Sequence, residues 1–222
     1  MCNFLSGLVL KNGDFLSHPM LDSHADLVTY FKLRDDDTYL SRFAKAELRP
    51  KDWMDAETWD WAIDEGTRPA WLDEVEATAE AAARARASRM IVRTGEHQLI
   101  VDGCWIVGGD AVVRDMRAGR IMFVWDAAQI HDVGDSAQIH NVWDAAQIHG
   151  VWGSAQIHGV WGSAQIHDVG GSAQIHNVRG SAQIHNVRRS AQIHNVGGSA
   201  QIHNVWDSAQ LDDSAKAHVV AS

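Results

Sequence analysis

From Ala127 to Asp207 the chain repeats a nine-residue unit nine times without insertion or deletion, on the consensus Ser-Ala-Gln-Ile-His-Asn-Val-x-Gly/Asp. Nine is an awkward number for regular structure, and that excludes most folds. In an α-helix nine residues advance by roughly 900°, half a turn beyond two full turns, so the apolar residues of successive units would point in opposite directions. An unbroken strand fails because its side chains alternate with period two and nine is odd, so every unit would reverse its faces. Each unit must therefore contain a turn. Ala-Gln-Ile-His alternates apolar with polar, and Asn/Asp/Gly followed by Gly/Asp and Ser supplies turn formers. The expectation is one short strand and one corner per unit, stacked as a β-solenoid in which no unit can bury its apolar residues alone.

Size sets the number of units per coil. Nine residues at ~3.3 Å give a perimeter of roughly 30 Å, too tight for side chains between walls that pack ~10 Å apart. Two units, 18 residues, fit. A three-walled coil of 27 residues is the alternative geometry. In the two-walled coil residues 18 apart stack in columns. The histidines then form two: His131, His149, His167, His185 and His203 on one wall, and His140, His158, His176 and His194 on the other. The eighth position gives a column of Trp125, Trp143, Trp161 and Arg179, and a second of Gly134, Trp152, Gly170, Arg188 and Trp206.

The histidine ladders read first as covers over the strands, because identical side chains stack in any in-register solenoid. Their alternative is a metal array, with all nine histidines as candidate ligands. Against it, zinc wants four ligands near 2.0–2.3 Å, and the units offer few carboxylates and no thiols. Calcium would need acidic loop positions that these units lack. No regular threonine face exists for ice binding, since no threonine follows Thr94. The eighth position accepts Gly, Arg and Trp, so the fold does not require an aromatic there. Trp125, Trp143, Trp161 and Arg179 are thus the expected binding residues, since Trp and Arg dominate interaction hot spots.

Two degenerate units, Asp110–Arg117 and Ala118–Asp126, precede the regular ones and keep apolar Val113, Met116, Ile121 and Val124; an imperfect unit starts at Ser208. The sequence therefore divides into an α+β domain over 1–109 and a β-solenoid domain over 110–222. The first of these is expected to cap the open end of the second and cover its strand edge. Within it, "FLSGLVLKNGDFLSH" reads as a hairpin with a type I′ turn at Asn12-Gly13. "DSHADLVTYFKL" reads as a short helix with Ser23 as N-cap and Asp26 completing a capping box. Strands are expected over Phe43–Leu48, Trp59–Ile63, Gln98–Val101 and Cys104–Val107, and a helix over Pro69–Met90.

A net charge of −10 opposes nucleic-acid binding, which needs a basic face. No apolar run approaches the ~20 residues of a membrane span, and no secretory leader opens the chain. Two cysteines, Cys2 and Cys104, make no disulfide framework and fit a reducing cytoplasm. Cys2 is the one catalytic candidate, since an exposed N-terminal cysteine can act as nucleophile with its own amine as base, in a hydrolase or amidotransferase. The opposing reading places Cys2 on the strand face of Phe4, Leu8 and Leu10 as a small buried residue. His18, Asp22 and His24 cluster nearby in sequence, where turn and helix-start roles suffice.

The opening Met1-Cys2-Asn3-Phe4, the Asn-Gly hairpin, "DEGTRPAWLDE" and the tandem repeats together resemble a group of bacteriophage and bacterial proteins with a small N-terminal domain before a variable number of short solenoid repeats. The resemblance covers essentially the whole chain. It implies a phage or bacterial source and adds no catalytic residue. The expectation is a non-catalytic binding or assembly protein in the cytoplasm of a bacterial host, without cofactor, acting on a protein partner or a second copy of itself. A metal-binding histidine rod and an N-terminal-cysteine enzyme are the alternatives.

Overall fold

A computed structural model describes residues 5–36, 38–206 and 208–220. The chain is mainly β and forms two compact units, 1–91 and 92–222. In the first, β1 (Leu5–Leu10), β2 (Phe15–Leu16), β3 (Phe43–Arg49) and β4 (Asp60–Ile63) form an antiparallel sheet in the order β2-β1-β3-β4. Strand alternation gives the sheet two apolar faces. Leu8 and Phe43 pack with Leu27 and Val28 of α1 (His24–Tyr30). On the opposite face Val9, Ala44 and Ala46 pack with Leu72 and Ala79 of α2 (Leu72–Met90). Ala79, Ala83 and Ala87 recur every four residues along α2 and are fully buried, so this helix meets its neighbours on its smallest side chains.

Two local expectations are corrected. The hairpin turn is not type I′, which needs positive φ at both central residues. Gly13 has φ +86° but Asn12 is not among the left-handed residues, and the Gly13 amide donates to the Leu10 carbonyl at 2.9 Å. This is a type I-like turn closed by a left-handed glycine, within a connection of four residues rather than two. Ser23 is the N-cap of α1, but its side chain makes no capping bond, so no capping box forms. Asp26 still lies in the first turn, where its charge favours the helix dipole.

The solenoid confirms the 18-residue coil. Its strands begin with β5 (Ile91–Val92), β6 (Glu96–Ile100), β7 (Cys104–Val107), β8 (Val112–Met116) and β9 (Arg120–Val124). Strands β10 to β18 follow at nine-residue intervals from Gln129–Val133 to Gln201–Val205, then β19 (Gln210–Leu211), α3 (Asp213–Lys216) and β20 (Val219–Val220). Even-numbered strands from β6 to β20 make one eight-stranded sheet, and odd-numbered strands from β5 to β19 the other. Pairing is parallel with an offset of 18, as in Gln129↔Gln147, Ile130↔Ile148 and Val133↔Val151. By this pairing the sheets reach back to residue 91, upstream of the first recognisable unit at Asp110. Strands β5 to β7 lack the repeat's sequence yet share its backbone.

The inward residues are the second, fourth and seventh of each unit. Ala146, Ile148 and Val151 are fully buried, and so are their counterparts from Ala128 to Ala191 and from Ile130 to Ile202. The ninth residue turns the corner in the left-handed region, from Asp126 (φ 58°), Asp135 and Asp144 to Gly153 (φ 64°) and its successors. Aspartate and glycine tolerate that conformation; Arg189, at φ 61°, is the one ninth residue of another kind.

Candidate functional site

Everything the solenoid offers to a partner comes from its third, fifth, sixth and eighth positions, because the others are core or corner. The fifth position stacks imidazoles as the 18-residue coil requires. Ring centroids are 4.7, 5.3, 5.6 and 4.7 Å apart from His131 through His203. From His140 through His194 they are 5.0, 6.1 and 5.1 Å apart. Burial, and then the charge of neighbouring imidazoles, lowers the pKa of His140, His149, His176 and His185. Nε2 of His140 and of His149 is buried without a hydrogen-bond partner among the described residues. Five of the seven ring pairs lie within 16° of parallel. The nitrogen lone pairs lie in the ring planes, so those of parallel rings run side by side and do not converge on one ion. Chelation by neighbouring rings would require them to rotate out of the stack.

The eighth position is more varied than its sequence suggests. Trp152 Nε1 donates to Asp132 Oδ1 at 3.0 Å, and Trp161 Nε1 to Asn141 Oδ1 at 3.2 Å. In both cases the acceptor lies 20 residues earlier, at the sixth position of the coil below. The indole can reach it because the sixth residue of its own unit is glycine. A Cβ on Gly150 would lie 2.4 Å from Trp152 Nε1, and one on Gly159 2.4 Å from Trp161 Nε1. Where the sixth residue is asparagine the indole stands out: Trp143 beside Asn141 is 39% exposed, and Trp206 beside Asn204 is 48% exposed. The pairing of Gly with Trp in "HGVWG" is thus a signal that was present in the sequence.

Of the four expected binding residues, Trp143 and Trp161 stack at 5.5 Å with their planes 24° apart. Trp125 is half-buried and packs on Phe123 at 5.6 Å; its buried Nε1 has no partner among the described residues, because Trp105 occupies the place 20 residues earlier. Arg179 does not end the aromatic line as a free cation. Gly159 stands 20 residues before it and has no acceptor, and its guanidinium instead reaches the Asn195 carbonyl over the space left by Gly197. The cation–aromatic contact forms in the other column: Arg188 lies 5.3 Å from the Trp152 ring and pairs with Asp168 at 3.2 Å. Gly170 lets them meet, since a Cβ there would be 2.7 Å from the indole.

In the N-terminal unit Cys2 lies outside the described residues. His18 is used locally: its Nδ1 accepts the Met20 amide at 3.1 Å, and its ring packs on Tyr30 at 4.5 Å. Asp22 gives its carbonyl to the Ser6 hydroxyl at 2.7 Å. His24 does something else. Its Nε2 lies 3.1 Å from the Ala46 carbonyl and its Nδ1 3.3 Å from Asp64 Oδ2. Ser6, His24 and Glu47 are the buried polar or charged residues among those described, and they belong to one neighbourhood. Ser6 is opposite Glu47 in the β1–β3 register, and ligand-type atoms of His24, Glu47 and Asp64 all lie within 4.8 Å of one another. Glu47 and Asp64 were missed in the sequence because they are 17 residues apart and neither sits in a motif.

No helix is long and apolar enough to cross a membrane. No family model, curated protein or solved structure matches the chain at a significant level.

Proposed function

We propose that the protein is a non-catalytic binding or assembly protein that engages a protein partner, or a second copy of itself, through the outward face of the solenoid. The observation that carries this is Trp143. Its indole is 39% exposed, stacks only partly on Trp161, and occupies a position that the same fold fills elsewhere with Gly134, Gly170 and Gly197. A large apolar side chain kept on a surface that does not need it is the mark of a contact residue. Trp125 and Trp161 flank it and make the patch continuous along one wall, while Arg179 is turned to the backbone. The resemblance to phage and bacterial repeat proteins supports a bacterial cytoplasm as the setting and a host component as the partner.

The test is Trp143→Gly in the full chain. Stability should change by no more than ~0.5 kcal/mol, as for surface substitutions elsewhere. Sedimentation should show weaker self-association, or a bacterial lysate should yield less captured partner. A large loss of stability with unaltered association would make the column structural. Trp161→Gly is the control, and it should cost more stability because it removes the bond to Asn141.

A further inference from the structure

We propose that His24, Glu47 and Asp64 form a binding site for one divalent transition-metal ion of the zinc class, in the N-terminal unit and independent of the solenoid face.

The argument begins with protons. A carbonyl oxygen only accepts, so the 3.1 Å contact between His24 Nε2 and the Ala46 carbonyl requires that Nε2 carry the hydrogen. In the neutral imidazole Nδ1 then presents a lone pair, and that lone pair faces the Asp64 carboxylate at 3.3 Å. Two acceptors do not rest there unless a proton or a cation joins them. A histidine that fixes one nitrogen on a backbone carbonyl and turns the other toward carboxylates has the arrangement by which metal ligands are oriented. The separation fits as well: two ligand atoms on a tetrahedral ion with bonds of ~2.0–2.1 Å lie ~3.3–3.4 Å apart.

The surroundings favour a metal over a lone proton. A single ion pair needs one carboxylate, whereas two converge here from different strand segments. Glu47 is 4% exposed and pairs with Arg49 at 2.8 Å, which offsets part of its charge. Asp64 is held beside β3 by its amide, which donates to the Lys45 carbonyl at 2.9 Å, while its carboxylate stays half exposed. Two anchored, buried ligands and one accessible ligand give a preformed site with an entrance. One imidazole with two carboxylates is a borderline nitrogen and oxygen set, suited to zinc or its first-row neighbours more than to magnesium or calcium, which prefer oxygen alone.

The experiment uses the full chain after chelator treatment. Zinc is titrated by calorimetry and by its effect on thermal unfolding, in parallel with Asp64→Asn, chosen because Asp64 is half exposed and the variant should fold. A variant with His149 and His167 replaced by Asn controls for zinc held by the solenoid. In the wild type and in the solenoid variant, zinc at about a hundredfold excess over its dissociation constant should raise the midpoint by roughly 5–10 °C. Asp64→Asn should lose one equivalent of tight zinc or bind it at least about tenfold more weakly. Equal stoichiometry and equal midpoint shift in Asp64→Asn would overturn the site, as would loss of all zinc stabilisation in the solenoid variant alone. Equal stabilisation by magnesium or calcium would overturn the zinc-class assignment.

Discussion

The two units solve the same problem, burying apolar surface between β-strands, with opposite amounts of information. In the solenoid every strand meets copies of itself, so Ile130, Ile148 and Ile166 have the same neighbours and one unit explains the rest. In the N-terminal unit no two contacts are alike: Leu8 meets α1, Val9 meets α2, and Ser6 faces Glu47. Repetition makes structure predictable but spreads chemistry evenly, so the solenoid presents surfaces. Heterogeneity lets three unlike groups converge at one buried place.

The largest expected effect tests that contrast directly. Leu8→Ala and Ile157→Ala each remove a fully buried side chain and should each cost about 2–5 kcal/mol. Their reach should differ. Amide exchange should quicken across the whole N-terminal sheet for Leu8→Ala, but only in the coils flanking Ile157 for the other, because a solenoid couples nearest neighbours. Uniform loss of protection along the solenoid would remove the distinction.

Next in size is a pair of glycine substitutions. Gly150→Ala puts a Cβ 2.4 Å from Trp152 Nε1 and 2.8 Å from Asp132 Oδ1, so it should displace the indole and cost about 1–3 kcal/mol with a red-shifted tryptophan emission. Gly66→Ala in the N-terminal unit meets nothing within 4 Å and should change stability by less than ~0.5 kcal/mol.

Acid should act on the solenoid through its histidines. His140, His149, His176 and His185 have lowered pKa values when folded, so the unfolded chain takes up their protons first. Stability is complete above the unfolded value of about 6.5 and falls as pH drops below it. Carboxylates held low, such as Asp212 at about 2, leave this window to the histidines. Chemical denaturation of the solenoid at pH 7.5, 6 and 5 checks it, and a constant midpoint would show the imidazoles to be uncoupled. The smallest effect is a gain. Arg189→Gly relieves a left-handed arginine at a corner where Gly171, Gly180 and Gly198 already sit, and should stabilise by roughly 0.5–1 kcal/mol in thermal unfolding.

By itself the sequence determined the period, and the period determined the coil. An odd repeat excludes helix and continuous strand, and the bulk of Ile and Val excludes a nine-residue coil, so the 18-residue columns follow from arithmetic. The α2 helix and the strands at Phe43 and Asp60 were equally legible from local pattern. Three things were decided only by tertiary structure. Strands β5 to β7 joined the solenoid without its consensus, because parallel pairing asks for inward apolar residues such as Ile106 and Val107 and not for identity. The tryptophans divided into bonded and exposed, because the fate of each indole depends on a residue 20 positions earlier and on the glycine beside it. The meeting of His24, Glu47 and Asp64 was invisible because an antiparallel sheet brings together residues at separations set by its turns and loops, and no local spacing records them.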